Sequence, residues 1–209
     1  GVILGPEPEI FFDVGANEGS VAKRLAHLFP KAAIHCFEPT PDVAERLRRN
    51  VAHLPNIVVH TLALGRDGGS ALLNVKRNSE SNSLLPDDDT HNLFRPQEVL
   101  QVIDVPVDTV DDFCWREGIA GIDILKVDTE GFDLHVIEGA RSMLPNIPLI
   151  HAEICAAPLF KGQPRAGAFQ DRMQDLGYEL VHMYDAGFSI RFYQISYNAL
   201  FMRGAARDR

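Results

Sequence analysis

Short apolar runs alternate along this chain with stretches whose apolar residues recur at three- and four-residue spacing. Ile10-Phe11-Phe12-Asp13-Val14 is a strand-like run closed by Gly15; Val21, Ala22, Leu25, Leu28 and Phe29 then fall on one helical face, ended by Pro30. A second strand is predicted over 32–37. A second helix starts with Thr40 as its N-cap and Pro41 in its first turn, burying Val43, Leu47 and Val51. Further strands are expected at 57–64, 71–75 and 99–107. Asp108 is expected to cap a short helix that runs through Phe113 to Glu117. Residues 122–127 are apolar except for Asp123 and Lys126, and Phe132, Val136, Ile137, Ala140, Met143 and Leu144 continue as a helical face. A strand at 147–154, a helix at 166–176 and a closing antiparallel pair at 178–183 and 190–201 complete the pattern. Strands and helices alternating in this way form βαβ units: an α/β fold with a mostly parallel sheet covered by helices on both faces.

The pattern shows no repeat and no linker, so residues 1–209 are expected to form a single domain with a core at about 10–203. The exception is 77–97, about 20 residues rich in Ser, Asn, Asp and Pro, a length typical of either a functional lid or a disordered segment. Composition removes several functions. The net charge of −9 opposes a dedicated nucleic-acid or anionic-membrane binder, which needs a cationic surface. Cys36, Cys114 and Cys155 are an odd number without CxxC spacing, which argues against a disulfide scaffold or structural zinc and suggests the cytoplasm. No apolar run reaches the ~20 residues of a membrane span, and residues 1–6 lack the charged start of a signal peptide. The absent initiator methionine suggests that residues upstream have been removed.

Chemistry gathers at the predicted carboxyl ends of the strands. Asp13-Val14-Gly15-Ala16-Asn17-Glu18-Gly19-Ser20 is a glycine-rich strand-to-helix turn, and Glu38 ends the next strand, where a carboxylate suits a ribose diol. A nucleoside cofactor is therefore expected. The dinucleotide fingerprint has glycine where this chain has Asn17, and the chain has Ser20 at the last position. Asp13 and Glu18 would repel a pyrophosphate but suit a sulfonium cation, so S-adenosylmethionine is favoured over NAD. Asp128 and Glu130 stand at the end of a central strand, and Lys126, unusual inside one, is expected to pair with either because alternate residues share a face.

Asp13-x-Gly-x-Asn-x-Gly, Phe37-Glu38-Pro39, Leu62-Ala63-Leu64-Gly65, Ser81-Asn82-Ser83-Leu84, Val107-Asp108-Thr109-Val110-Asp111-Asp112-Phe113, Lys126-Val127-Asp128-Thr129-Glu130-Gly131 and Glu153 occur in this order. Together they resemble the FkbM family of S-adenosylmethionine-dependent methyltransferases over about 10–154, and Asn198-Ala199-Leu200-Phe201 extends the match. The resemblance implies a Rossmann-like class I methyltransferase fold, with a seven-stranded sheet ending in an antiparallel hairpin. It implies that Asp13, Gly15, Asn17 and Gly19 line the methionine end of the cofactor and that Glu38 holds the ribose. It implies further that backbone around Ala63 and Leu64 frames the adenine and that Asp128 and Glu130 face the methyl group and the acceptor. Family members mostly methylate hydroxyls of sugars or polyketide-type natural products, so the acceptor is expected to be a small-molecule or glycan hydroxyl.

Proton removal from that hydroxyl needs a positioned base. The candidates are Glu130 first, Asp128 second and His151, which shares a strand face with Glu153. The same four side chains could gather a divalent cation, but they form no compact ligand motif, so no metal is expected. The segment 77–97 and the stretch 156–165 are expected to select the acceptor. Three other readings compete. A nucleic-acid methyltransferase is opposed by the charge and by Asp128-Thr129-Glu130-Gly131, where base-modifying enzymes commonly carry Asn-Pro-Pro-aromatic. A NAD-type oxidoreductase is opposed by Asn17 and Ser20. The last is a binding module that has lost catalysis.

Overall fold

The structure, a computed structural model, describes residues 7–88, 98–156, 158–188 and 195–204. In chain order the elements are β1 (Ile10–Val14), α1 (Ser20–Leu28), β2 (Ala33–Phe37), α2 (Pro41–Val51), β3 (Ile57–His60), β4 (Ala63–Leu64), β5 (Gly69–Lys76), β6 (Val99–Asp108), α3 (Val110–Glu117), β7 (Ile124–Val127), α4 (Asp133–Glu138), β8 (Leu149–Cys155), α5 (Ala166–Asp175), β9 (Tyr178–Phe188) and β10 (Ile195–Arg203). The main sheet has seven strands in the order β3-β2-β1-β7-β8-β10-β9. Its first five strands are parallel, while β10 runs antiparallel to both β8 and β9.

Strand alternation explains the two cores. Phe11 of β1 with Ile34 and Cys36 of β2 faces Ala22 and Ala26 of α1 and Leu47 and Val51 of α2. Phe12 and Val14, with Leu125, Val127, Ile150 and Ala152, face α3, α4 and α5 through Phe113, Val136, Ile137, Phe169 and Met173. Helices thus cover both faces, and the strand order reverses between β1 and β7. In open α/β sheets ligands bind at the carboxyl edge of such a reversal.

Three expected elements are corrected. The apolar run 57–64 is two strands in two sheets. β3 stays on the main sheet, whereas β4 pairs in parallel with β6, which also pairs with β5, in a separate three-stranded sheet. Arg48 holds this departure by donating to the Thr61 hydroxyl at 2.5 Å. Asp108 ends β6; the cap of α3 is Thr109, whose hydroxyl accepts the Asp112 amide at 2.9 Å. The helix expected over 132–144 stops at Glu138. Gly139 lies so close to the backbone carbonyl of Gly65 that a Cβ there would sit 1.9 Å away, and the chain turns instead of winding on. Ala140 and Leu144 stay buried all the same. β10 begins at Ile195, and the start of the strand expected from 190 lies outside the described residues.

Candidate active site

Left-handed backbone shapes the turn after β1: Gly15, Asn17 and Gly19 have φ of 73°, 44° and 85°. The amides of Gly15 and Ala16 both donate to the Phe37 carbonyl, at 3.0 and 3.1 Å. A side chain at Gly15 is impossible without movement, since its Cβ would stand 1.8 Å from the Asp128 carbonyl oxygen. Asn17 then donates its amide to Glu38 Oε2 at 3.1 Å, and Thr40 donates to Oε1 at 2.9 Å. Glu38 is buried, which pushes its carboxyl up, an effect these amides partly offset.

Lys126 pairs with Asp128 as expected and, more closely, with Asp13, which was not expected. Its ammonium lies 2.9 Å from Asp13 Oδ1 and 3.6 Å from Asp128 Oδ2, and it also donates to the Gly15 carbonyl at 3.1 Å. The parallel register explains the partner, because Asp13 stands directly opposite Lys126. Burial works against charge on Lys126, but Asp13 and Asp128 outweigh it and raise its pKa. The expected cofactor ligand Asp13 is thus fully buried and turned to this ammonium. Neither it nor Gly19, which packs against Leu47 at the start of α1, is among the residues lining the cavity.

That cavity, of about 290 Å³, opens at the reversal of strand order. Gly15, Asn17, Glu38, Ala63 and Leu64 line one part of it, and Asp128, Glu130 and Glu153 line another. Oxygens of these last three carboxylates lie within 4.8 Å of one another, a spacing that a single cation could bridge. Burial raises the Glu130 carboxyl well above its usual range, and Glu153 and Asp128 add to this. Glu153 is raised by burial and then by Asp128, and the neighbouring buried Asp133 is pushed up to about 7, again by burial first. His151 stands outside this group. Burial and then Lys126 lower it to about 4, its Nδ1 has no partner, and its ring meets Tyr184.

Residues that periodicity did not single out roof the cavity. After β5 the chain makes a short 3₁₀ turn at Ser79–Ser81. Ser79 Oγ donates to Asn17 Oδ1 at 3.0 Å, Asn82 Nδ2 to Thr40 Oγ1 at 3.1 Å, and Ser83 Oγ to the Glu130 carbonyl at 2.7 Å. Ser81-Asn82-Ser83-Leu84 was visible only as a motif. Leu73 and Phe132, which also line the cavity, carry ordinary core periodicity. The stretches expected to choose the acceptor meet each other. Asp88 and Lys161 donate their amides to the Leu159 and Pro86 carbonyls, both at 2.8 Å. Beside them Lys76 is buried, 2.6 Å from Asp87 Oδ1 and 4.8 Å from the centre of the Phe160 ring. The remainder of that loop, 89–97, lies outside the described residues.

The arrangement fits S-adenosylmethionine, the cofactor that the motifs imply. Each Glu38 oxygen accepts one amide and has room for a second donor, such as a ribose hydroxyl. Ala63 and Leu64 offer an apolar wall for a base, and the opposite carboxylates suit a sulfonium.

Comparison with known proteins agrees. A family profile described as the methyltransferase FkbM domain matches residues 13–180. The chain is similar to the 2-O-methyltransferase NoeI of Sinorhizobium fredii, 28% identical over 191 residues, covering 87% of this chain and 76% of that protein. It is also similar to the hexuronic acid methyltransferase AglP of Haloferax volcanii, 26% identical over 150 residues, covering 72% of this chain and 57% of the relative. In fold it matches the N-terminal domain of EvdMO1 solved with S-adenosylhomocysteine and D-fucose, at 10% identity and a TM-score of 0.52 over 97% of this chain and 78% of the other.

Proposed function

The chain belongs to the FkbM methyltransferase family, and on that premise we propose that it methylates a hydroxyl of a sugar, glycan or related natural product. It is an S-adenosylmethionine-dependent enzyme. The observation that carries this reading is the gathering of the Asp128, Glu130 and Glu153 carboxylates in one cavity whose other part is lined by the diol-ready Glu38. When bound, S-adenosylmethionine supplies a methyl group on a sulfonium, open to in-line displacement by an oxygen nucleophile. The chain's own task is to seat that oxygen in line and take its proton. We assign proton removal to Glu130. Its raised pKa makes it a stronger base than an ordinary carboxylate, and the proton passes from acceptor oxygen to Glu130 as the ether bond forms. Asp128 is the second choice. His151 is the weakest candidate, being a poor base at a pKa of about 4 and outside the cavity lining.

Glu38 would hold the ribose hydroxyls, Ala63 and Leu64 the adenine, and Gly15 and Asn17 the methionine end. Lys126 keeps Asp13 and Asp128 in place from behind. The zipped stretches 86–88 and 159–161 would select the acceptor. We place the protein in the cytoplasm, because its three cysteines are all unpaired and buried. Among the described residues no helix is long and apolar enough to cross a membrane. The −9 charge keeps nucleic acid a poor partner.

Two measurements test this. Calorimetry should show micromolar binding of S-adenosylhomocysteine, and labelled S-adenosylmethionine should mark a carbohydrate or small-molecule fraction of source-cell extract, identified by mass spectrometry. Label found only in RNA, DNA or protein would overturn the acceptor class.

A further inference from the structure

Two of the three non-glycine residues with left-handed backbone among the described residues, Asn17 and Glu130, flank the cavity, and one strap reaches both. The strap, 79–83, is clipped back onto the strand it leaves. Lys76 donates its amide to Asn82 Oδ1 at 2.8 Å, and the Asn74 amide and side chain donate to the Ser83 carbonyl at 2.9 and 3.1 Å. So anchored, it presents Ser79 to the Asn17 side chain, Asn82 to Thr40 beside Glu38, and Ser83 to the Glu130 carbonyl. Ser83 is 1% exposed, and its hydroxyl, oriented by the Leu85 amide at 3.0 Å, has the Glu130 carbonyl as its acceptor.

The Glu130–Gly131 peptide is where such a hold matters. Glu130 has φ of 52° and Gly131 φ of 91°. Glycine tolerates the flipped alternatives of a tight turn at little cost, so the turn by itself does not select this orientation. The hydrogen bond ties the main chain of this turn to the strap at the residue that carries the carboxylate. Released from it, the turn can shift as a unit and move the Glu130 Cα, and with it the root of the side chain, relative to Asp128 and Glu153.

We propose that Ser83 is a positioning residue for methyl transfer, holding the Glu130 carbonyl so that the Glu130 carboxylate faces the acceptor while the same strap registers the cofactor loop at Asn17. This rests on the reading of Glu130 as the base, and the experiment separates the two. Ser83→Ala, Ser83→Thr and Glu130→Gln are compared with the wild type by S-adenosylhomocysteine calorimetry, by transfer to the marked acceptor fraction at saturating cofactor, and by amide NMR of Thr129 to Phe132.

Ser83→Ala should bind S-adenosylhomocysteine within twofold of wild type, lose at least tenfold in turnover, and show exchange broadening or doubled signals at Gly131. Ser83→Thr, which keeps the hydroxyl, should restore turnover and single signals. Turnover of Ser83→Ala within twofold of wild type, with Glu130→Gln inactive, overturns the positioning role and leaves the base assignment standing. Unchanged Gly131 signals alongside lost turnover also overturn it. Wild-type turnover by Glu130→Gln overturns the base assignment and the proposal with it.

Discussion

Replacing Lys126 with methionine isolates the energetics of the ion pair that ties the cofactor loop to β7. The ammonium and the Asp13 carboxylate stand 2.9 Å apart with side chains 8% and 0% exposed. At an effective dielectric of ~20 the attraction is about 332/(20 × 2.9), or about 6 kcal/mol, before the cost of desolvating both groups. Without Lys126, Asp13 keeps its burial and loses its largest opposing influence, so its cheapest escape is to take up a proton. Holding a proton at pH 7 on a carboxyl that ordinarily titrates near 4 costs about 1.4 kcal/mol for each of roughly three pH units, hence about 4 kcal/mol. Breaking a buried pair typically costs about 3–5 kcal/mol, which agrees.

The sign with pH follows. In Lys126→Met the folded state keeps a proton that the unfolded chain releases above about pH 4, so stability falls as pH rises and recovers by about 1.4 kcal/mol per unit as pH drops from 7 towards 5. Urea unfolding followed by circular dichroism between about pH 5 and 7.5 measures this. Fluorescence is a weaker reporter because the lone tryptophan, Trp115, is already 86% exposed when folded. The double variant Asp13→Asn, Lys126→Met should regain most of the loss. A deficit below about 1 kcal/mol at pH 7, or one that does not change with pH, would refute the reasoning.

Glu38→Ala should weaken S-adenosylhomocysteine binding by about 1–3 kcal/mol, roughly 5- to 150-fold by calorimetry, since it removes the acceptor of two buried amides as well as the proposed ribose contact. Asp133→Asn should stabilise the protein at about pH 8, by up to about 4 kcal/mol, and do little near pH 4. Burial holds this carboxyl at about 7, so the wild type loses stability as pH rises through that value and the amide does not, as thermal melts across pH would show. Asp87→Ala strands the buried Lys76 ammonium and loosens the junction of 86–88 with 159–161. The acceptor KM should rise about tenfold or more while S-adenosylhomocysteine affinity stays within twofold; a weaker cofactor affinity with an unchanged KM would move this pair out of the acceptor site.

What could be read from the chain alone was whatever leaves a local trace. The turn Gly15-Ala16-Asn17-Glu18-Gly19 is legible because its backbone needs left-handed residues, and Glu38 is legible because it closes the very next strand. The pairing of Lys126 with Asp128 is legible, but its nearer partner Asp13 is not. Alternation along β7 says which residues share a face, yet the register that sets Asp13 opposite Lys126 exists only once two strands pair. The division of 57–64 was hidden for the same reason, because two apolar strands in different sheets have the same periodicity as one. Thr109 and Asp108 are both good caps, and one residue of strand length decides between them. Ser79, Asn82 and Ser83 are polar residues in a polar stretch, where no period marks a partner more than forty positions away.

The three-stranded side sheet has a consequence for how the roof of the cavity is joined to the rest of the chain. Gly69 and Val107 face each other across the β5–β6 ladder, so everything between them, including the strap and the 77–97 loop, leaves and rejoins the body at one doorway. Lengthening such an excursion costs only about 0.6 kcal/mol per doubling of loop length. The hairpin is therefore a cassette. A chimera spliced at this doorway would carry a new roof over the carboxyl ends of β1, β2 and β7, which lie outside the exchanged segment.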